Sequence, residues 1–129
     1  MHGFESETGE LLPHEIKAAS IIAQRIRHNT GELNAVTSDQ ITGRLEREHN
    51  IILTGPRLRK VINYIRRLKM VVNLVASSKG YYVETDPVKI RAYVDSLKQR
   101  AAAILEMSRS FEIHPPVKQG SLFQQELQS

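Results

Sequence analysis

Between Arg57 and Lys69 the chain carries six basic residues, Arg57, Arg59, Lys60, Arg66, Arg67 and Lys69, and no acid. Guanidinium and ammonium groups concentrated in this way suit one chemistry above others: they neutralise phosphates and donate hydrogen bonds to base edges. Asn63 and Tyr64 lie inside the run, and an Asn amide can pair with adenine in a major groove. Further on, Ser77, Ser78 and Lys79 form a short polar and basic stretch whose hydroxyls and ammonium could meet phosphate oxygens. The charge balance agrees. Residues 37–84 hold nine Lys/Arg against four acids, a net +5, whereas the whole chain is only +4. By itself a charge run is as compatible with the solvated face of a core helix. The elements around it must decide.

Other chemistries find no residues to carry them. The five histidines (2, 14, 28, 49, 114) are scattered, with no pair at helical ligand spacing, so no metal site is expected. The chain has no cysteine, hence no disulfide, thiolate ligand or thiol nucleophile. It contains neither a nucleophile-elbow motif nor a phosphate-cradling glycine loop. Asp39, Glu46 and Glu48 read as surface charges rather than an acid–base pair. The expectation is a protein without catalytic residues and without a cofactor. The polar N-terminus is not a signal peptide, and no apolar run approaches the roughly 20 residues of a membrane span, so a cytoplasmic protein is expected.

The elements that would position the basic run can be read from periodicity and capping. Pro13 opens a first helix, in which Ile16, Ala19, Ala23 and Ile26 recur at helical spacing beside Ile22. Asn29-Thr30-Gly31 ends it, and an extended piece over residues 33–36 follows. Thr37 and Gln40 make a capping box for a second helix with Ile41 and Leu45 inward. Thr54-Gly55-Pro56 opens the third, basic helix, whose apolar stripe is Leu58, Val61, Ile62, Ile65 and Leu68. With that stripe inward, Arg57, Lys60, Asn63, Tyr64 and Arg67 fall on or near the opposite face, and Arg59, Arg66 and Lys69 at its flanks. Apart from Asn73, residues 71–75 are apolar and mostly β-branched, residues 77–80 are turn-forming, and residues 81–83 return, together a β-hairpin with a basic tip. Of Tyr81 and Tyr82, one should pack on the core. Asp86-Pro87 caps a fourth helix reaching about Arg109.

The order of helix, extended piece, two helices and hairpin resembles that of winged helix-turn-helix proteins, in particular the small DNA-binding proteins of bacteriophages and prophages. The resemblance rests on Ala35-Val36-Thr37-Ser38, on the stretch from Leu53 to Arg67, and on residues 76–82. It implies a mainly α fold with a small β-hairpin, a winged helix-turn-helix followed by a long C-terminal helix. It also implies double-stranded DNA as partner, with the third helix in the major groove and the hairpin as a wing. On the chemistry of the residues themselves, Arg57, Lys60, Asn63, Tyr64 and Arg67 are then on the groove-facing side, Arg59, Arg66 and Lys69 at its flanks within reach of phosphates, and Ser77, Ser78 and Lys79 on the wing.

Two features lie outside that scheme. The fourth helix repeats Ile90, Leu97 and Ile104 at seven-residue spacing, with Val94 and Ala101 likewise, so residues 87–109 could form a homodimer seam. A helix that simply covers the first one is the alternative. In the tail, Gln119-Gly120-Ser121-Leu122-Phe123 resembles the short peptide by which bacterial replication and repair proteins bind the sliding clamp, with Gly120 where Leu is common. In that resemblance Gln119, Ser121, Leu122 and Phe123 contact the partner. The organisation expected is a flexible N-terminus (1–12), a winged-helix domain with its long helix (13–110), and a disordered tail with the peptide (111–129). Three functions fit: a replication-associated adaptor that holds duplex DNA and recruits the clamp, a dimeric transcription regulator, or a protein-interaction module acting on the clamp without DNA.

Overall fold

The computed structural model describes residues 10–111. These residues are mainly helical, with a two-stranded antiparallel hairpin followed by a long last helix. Its elements in order are α1 (Pro13–Ile26), a short 3-10 helix (Glu32–Asn34), α2 (Ser38–His49), α3 (Gly55–Arg67), β1 (Leu74–Ser77), β2 (Gly80–Val83) and α4 (Pro87–Arg109). It divides into two units, one up to Tyr93 and one from Val94 onward.

In the first unit, local chemistry sets the helix starts. Thr37 accepts a hydrogen bond from the Gln40 N–H at 3.1 Å, while the Gln40 side chain accepts from the Thr37 N–H at 2.8 Å. This is the reciprocal capping box expected for α2. Thr54 accepts from the Arg57 N–H at the start of α3, where Pro occupies the first turn. The end of α2 is equally local: Asn50 adopts the left-handed conformation at φ 55° and its N–H returns to Glu46.

The core joins α1, α2, α3 and the hairpin. Ala18, Ala19, Ile22, Ala23 and Ile26 of α1 meet Leu45 of α2 and Leu58, Val61, Ile62 and Ile65 of α3, with Val71 and Leu74 closing one side. Three small alanines on α1 allow close approach of α3. Each large aliphatic side chain buried here stabilises by roughly 1.5–3 kcal/mol, and the four from α3 fix which of its faces is left to solvent.

The hairpin pairs Leu74 with Val83 and Ser77 with Gly80, leaving Ser78-Lys79 as a two-residue loop. The outer edge of β2 is also paired. Val36 exchanges both backbone hydrogen bonds with Tyr81 (2.9 and 2.8 Å), and Gly31 N–H donates to Val83 at 2.9 Å. Tyr82 packs inward and Tyr81 lies half-buried, as alternation along a strand requires. Burial raises the Tyr82 hydroxyl above its ordinary pKa, with Glu32 next in effect.

Several local expectations are corrected. Residues 33–36 are not a continuous extended piece: Glu32–Asn34 form a 3-10 turn, because Gly31 turns the chain at φ 83° and the Asn29 and Asn34 amides clamp the loop. The first strand begins at Leu74, not residue 71, because Lys69 and Asn73 take positive φ and fold residues 68–73 into turns. Leu68, expected inward, is 57% exposed once α3 has ended at Arg67. On α1 the buried face includes Glu15 and leaves Ile16 outside.

In α4, Asp86 caps the first turn through the Val88 N–H at 2.9 Å. Glu84, almost buried, accepts from the Thr85 and Asp86 N–H groups and so fixes the turn into the helix. The second unit is the remainder of α4 and its C-terminal turn, and none of its described residues is buried. No helix among the described residues is long and apolar enough to cross a membrane.

Candidate nucleic-acid interface

The basic residues of α3 separate into two groups once their partners are seen. Arg57 lies where the helix surface meets the core. Its Nε and Nη2 donate to the two carboxylate oxygens of Glu15, each at 2.6 Å. Glu15 is 1% exposed, and its Oε1 also accepts the Leu12 N–H at 2.8 Å. The Arg57 hydrogen bonds hold the Glu15 carboxyl below its ordinary pKa, against the opposing push of burial. Arg57, expected to face bases, is thus a clamp between α1 and the first turn of α3.

Arg66 is similarly engaged. Its Nε donates to the Leu74 carbonyl at 3.0 Å, tying the last turn of α3 to the start of β1, and its Nη1 reaches Asn63 Oδ1 at 3.3 Å. Its Nη2 is enclosed without a hydrogen-bond partner. Tyr64 packs against the core rather than standing clear of it.

The remaining residues form the outward face. Arg59, Asn63 and Arg67 are exposed and Lys60 is half-exposed. Lys60, Asn63 and Arg67 follow i, i+3, i+7 spacing, one line along a helix, directly opposite Leu58, Val61, Ile62 and Ile65. Arg59 flanks this line. From His49 to Val83 there is no Asp or Glu and there are seven Lys/Arg, so no acid of this segment offsets their charge. At the hairpin, Ser78 and Lys79 are exposed on the two-residue loop, and the Lys79 N–H donates to Ser77 Oγ at 3.0 Å.

A concavity lies between α1 and α2, a groove of about 460 Å³. Ile21, Ile26 and Ile41 line it, with Arg25, Arg44 and Arg47 at its polar side. Glu48 pairs with both Arg25 (3.1 Å) and Arg44 (3.5 Å) there. These ion pairs are exposed and contribute little to stability. No cluster of three or more His, Asp or Glu suited to a metal ion occurs among the described residues.

The tail positions Gln119, Ser121, Leu122 and Phe123 lie outside the described residues. Glu15 is the residue that sequence reasoning missed. Its one local signal was an acid in the first turn after Pro13, a place that usually denotes a solvated cap. Comparisons with protein-family profiles, with curated proteins and with solved structures found no match.

Proposed function

We propose that the chain binds double-stranded DNA as a winged-helix protein, α3 lying in the major groove and the β1–β2 hairpin serving as wing. The observation that carries this reading is the line Lys60, Asn63, Arg67 on the open face of an acid-free helix whose opposite face is buried. Lys60 and Arg67 can reach guanine O6 and N7, and Asn63 can bridge adenine N6 and N7. Arg59 at the flank and Ser78 and Lys79 on the hairpin meet phosphates. Arg57 and Arg66 act from behind: they hold α3 against α1 and β1 so that the open face presents itself rigidly. The pairing of Val36 with Tyr81 supports the reading too, since it adds a short third edge to the hairpin as a winged helix requires.

The test is an anisotropy titration of labelled duplex with the Lys60→Ala, Arg67→Ala variant, whose altered side chains lie away from the core. Losing two groove contacts at about 1–3 kcal/mol each raises Kd by at least about tenfold. An unchanged Kd in a folded variant refutes the assignment of α3.

The tail supports a more particular role. Gln119, Ser121, Leu122 and Phe123 match the clamp-binding peptide of bacterial replication proteins, and a DNA-holding domain carrying such a peptide acts as a replication adaptor. A peptide of residues 115–129 then binds purified bacterial sliding clamp in calorimetry, and its Leu122→Ala, Phe123→Ala version does not. Absence of binding by the unaltered peptide removes the adaptor role and leaves DNA binding standing.

A further inference from the structure

The open, acid-free face of α3 has a counterpart of opposite charge in the chain itself. Residues 1–9 carry Glu5 and Glu7 with no Lys or Arg, and Glu10, the first described residue, is a further acid and exposed. Residues 112–129, the other stretch outside the described ones, match that face less well, since Lys118 stands between Glu112 and Glu126. The fold also delivers the acidic stretch to the right place. Leu11 packs against the core, and the Leu12 N–H and Arg57 Nη2 both donate to Oε1 of Glu15, at 2.8 and 2.6 Å. The chain therefore joins α1 beside the first turn of α3, one turn before Lys60. A stretch the length of residues 1–9 reaches about 30 Å when extended, whereas α3, with 13 residues, is about 20 Å long.

We propose that residues 1–9 dock along the open face of α3, Glu5 and Glu7 meeting Arg59, Lys60 and Arg67, so that a duplex must displace them to bind. In an extended segment two residues spaced as Glu5 and Glu7 project to the same side about 7 Å apart, close to the spacing of neighbours on a helix face. No acid of residues 49–83 competes for these cations. Exposed ion pairs are individually weak. The tether, however, holds the segment at about millimolar effective concentration, so contacts too weak to retain a free peptide suffice here. Carboxylates and phosphates then compete for the same cations, and a polyanion as densely charged as duplex DNA displaces the segment where a sparser one does not. The docking does not depend on DNA binding, whereas the competition rests on the reading of α3 given above.

Two full-length variants with the same change in net charge provide the test. One is Glu5→Gln, Glu7→Gln; the control is Asp95→Asn, Glu106→Gln, at exposed positions of the second unit. Amide chemical shifts of the DNA-free proteins are compared with those of the unaltered protein at low salt, and duplex Kd is measured by anisotropy. The expected result is that the amides of Lys60, Asn63 and Arg67 move in the first variant and stay in place in the control. Duplex Kd falls about three- to tenfold in the first variant and much less in the control, and the difference closes as salt rises. Unmoved α3 amides in the first variant overturn the docking. An unchanged Kd in the first variant, or an equal fall in both, overturns the competition, the latter because net charge alone then accounts for it. If even the unaltered protein fails to bind duplex, the DNA reading falls, while the α3 shifts still decide the docking.

Discussion

The Glu15–Arg57 pair makes an asymmetric prediction about stability. Glu15 is 1% exposed, whereas the Arg57 side chain is 31% exposed. Replacing Arg57 with Met leaves a carboxylate sealed in the core edge with only the Leu12 N–H to satisfy it. An uncompensated buried charge of this kind costs about 3–5 kcal/mol. Replacing Glu15 with Gln leaves a guanidinium that can hydrate through its exposed side, and the cost falls to about 1–2 kcal/mol. The pH response should also change sign. In the unaltered protein Glu15 is held below its ordinary pKa by Arg57. Its contribution is therefore full above the unfolded carboxylate pKa and is lost as pH falls through the lower folded value. In Arg57→Met, burial dominates and raises the carboxyl instead. Stability is then lowest at neutral pH and is partly recovered on acidification through the raised value, while Glu15→Gln loses this dependence. Urea unfolding followed by circular dichroism, at neutral pH and again near the carboxylate range, reads both effects. If Glu15→Gln costs as much as Arg57→Met, or if Arg57→Met shows no relative gain on acidification, the pair is not the buried clamp described.

Three further outcomes follow from particular contacts. Gly80→Ala should destabilise by at least about 2 kcal/mol in thermal unfolding, because Gly80 sits at φ +124° and a Cβ there would lie 2.3 Å from the Val36 carbonyl oxygen, a backbone atom that cannot swing aside. Thr37→Ala should cost about 1 kcal/mol by loss of the α2 cap, read as a lower urea midpoint with an unchanged slope. Lys79→Ala should leave stability unaltered and reduce the salt dependence of duplex binding by about one unit of slope, measured by anisotropy over a range of salt concentrations.

The parts of the fold legible in the sequence are those written locally. Thr37 with Gln40, and Thr54 with Pro56, place the starts of α2 and α3 because a cap and its acceptor lie within one turn. The stripe from Leu58 to Ile65 names the buried face of α3 for the same reason. What depended on distant partners stayed hidden. Glu15 and Arg57 are 42 residues apart, so the first reads as a solvated cap and the second as a base contact until the fold brings them together. Likewise Arg66 counts as a free cation in the sequence, yet its Nε bonds a β1 carbonyl. The β-branched run at residues 71–75 suggested a strand, yet Asn73 within it takes the left-handed conformation at φ 62° and β1 begins only at Leu74.

The most direct measurement of the central claim is a residue-by-residue map of amide chemical-shift changes as duplex DNA is added to the folded protein. The largest changes are expected on Arg59, Lys60, Asn63 and Arg67 of α3 and on Ser78, Lys79 and Gly80 of the hairpin, with Glu15 and the core face of α3 little affected. Changes confined to the groove of Ile21, Ile41 and Arg44 between α1 and α2, or no saturable change at low salt, would contradict that claim.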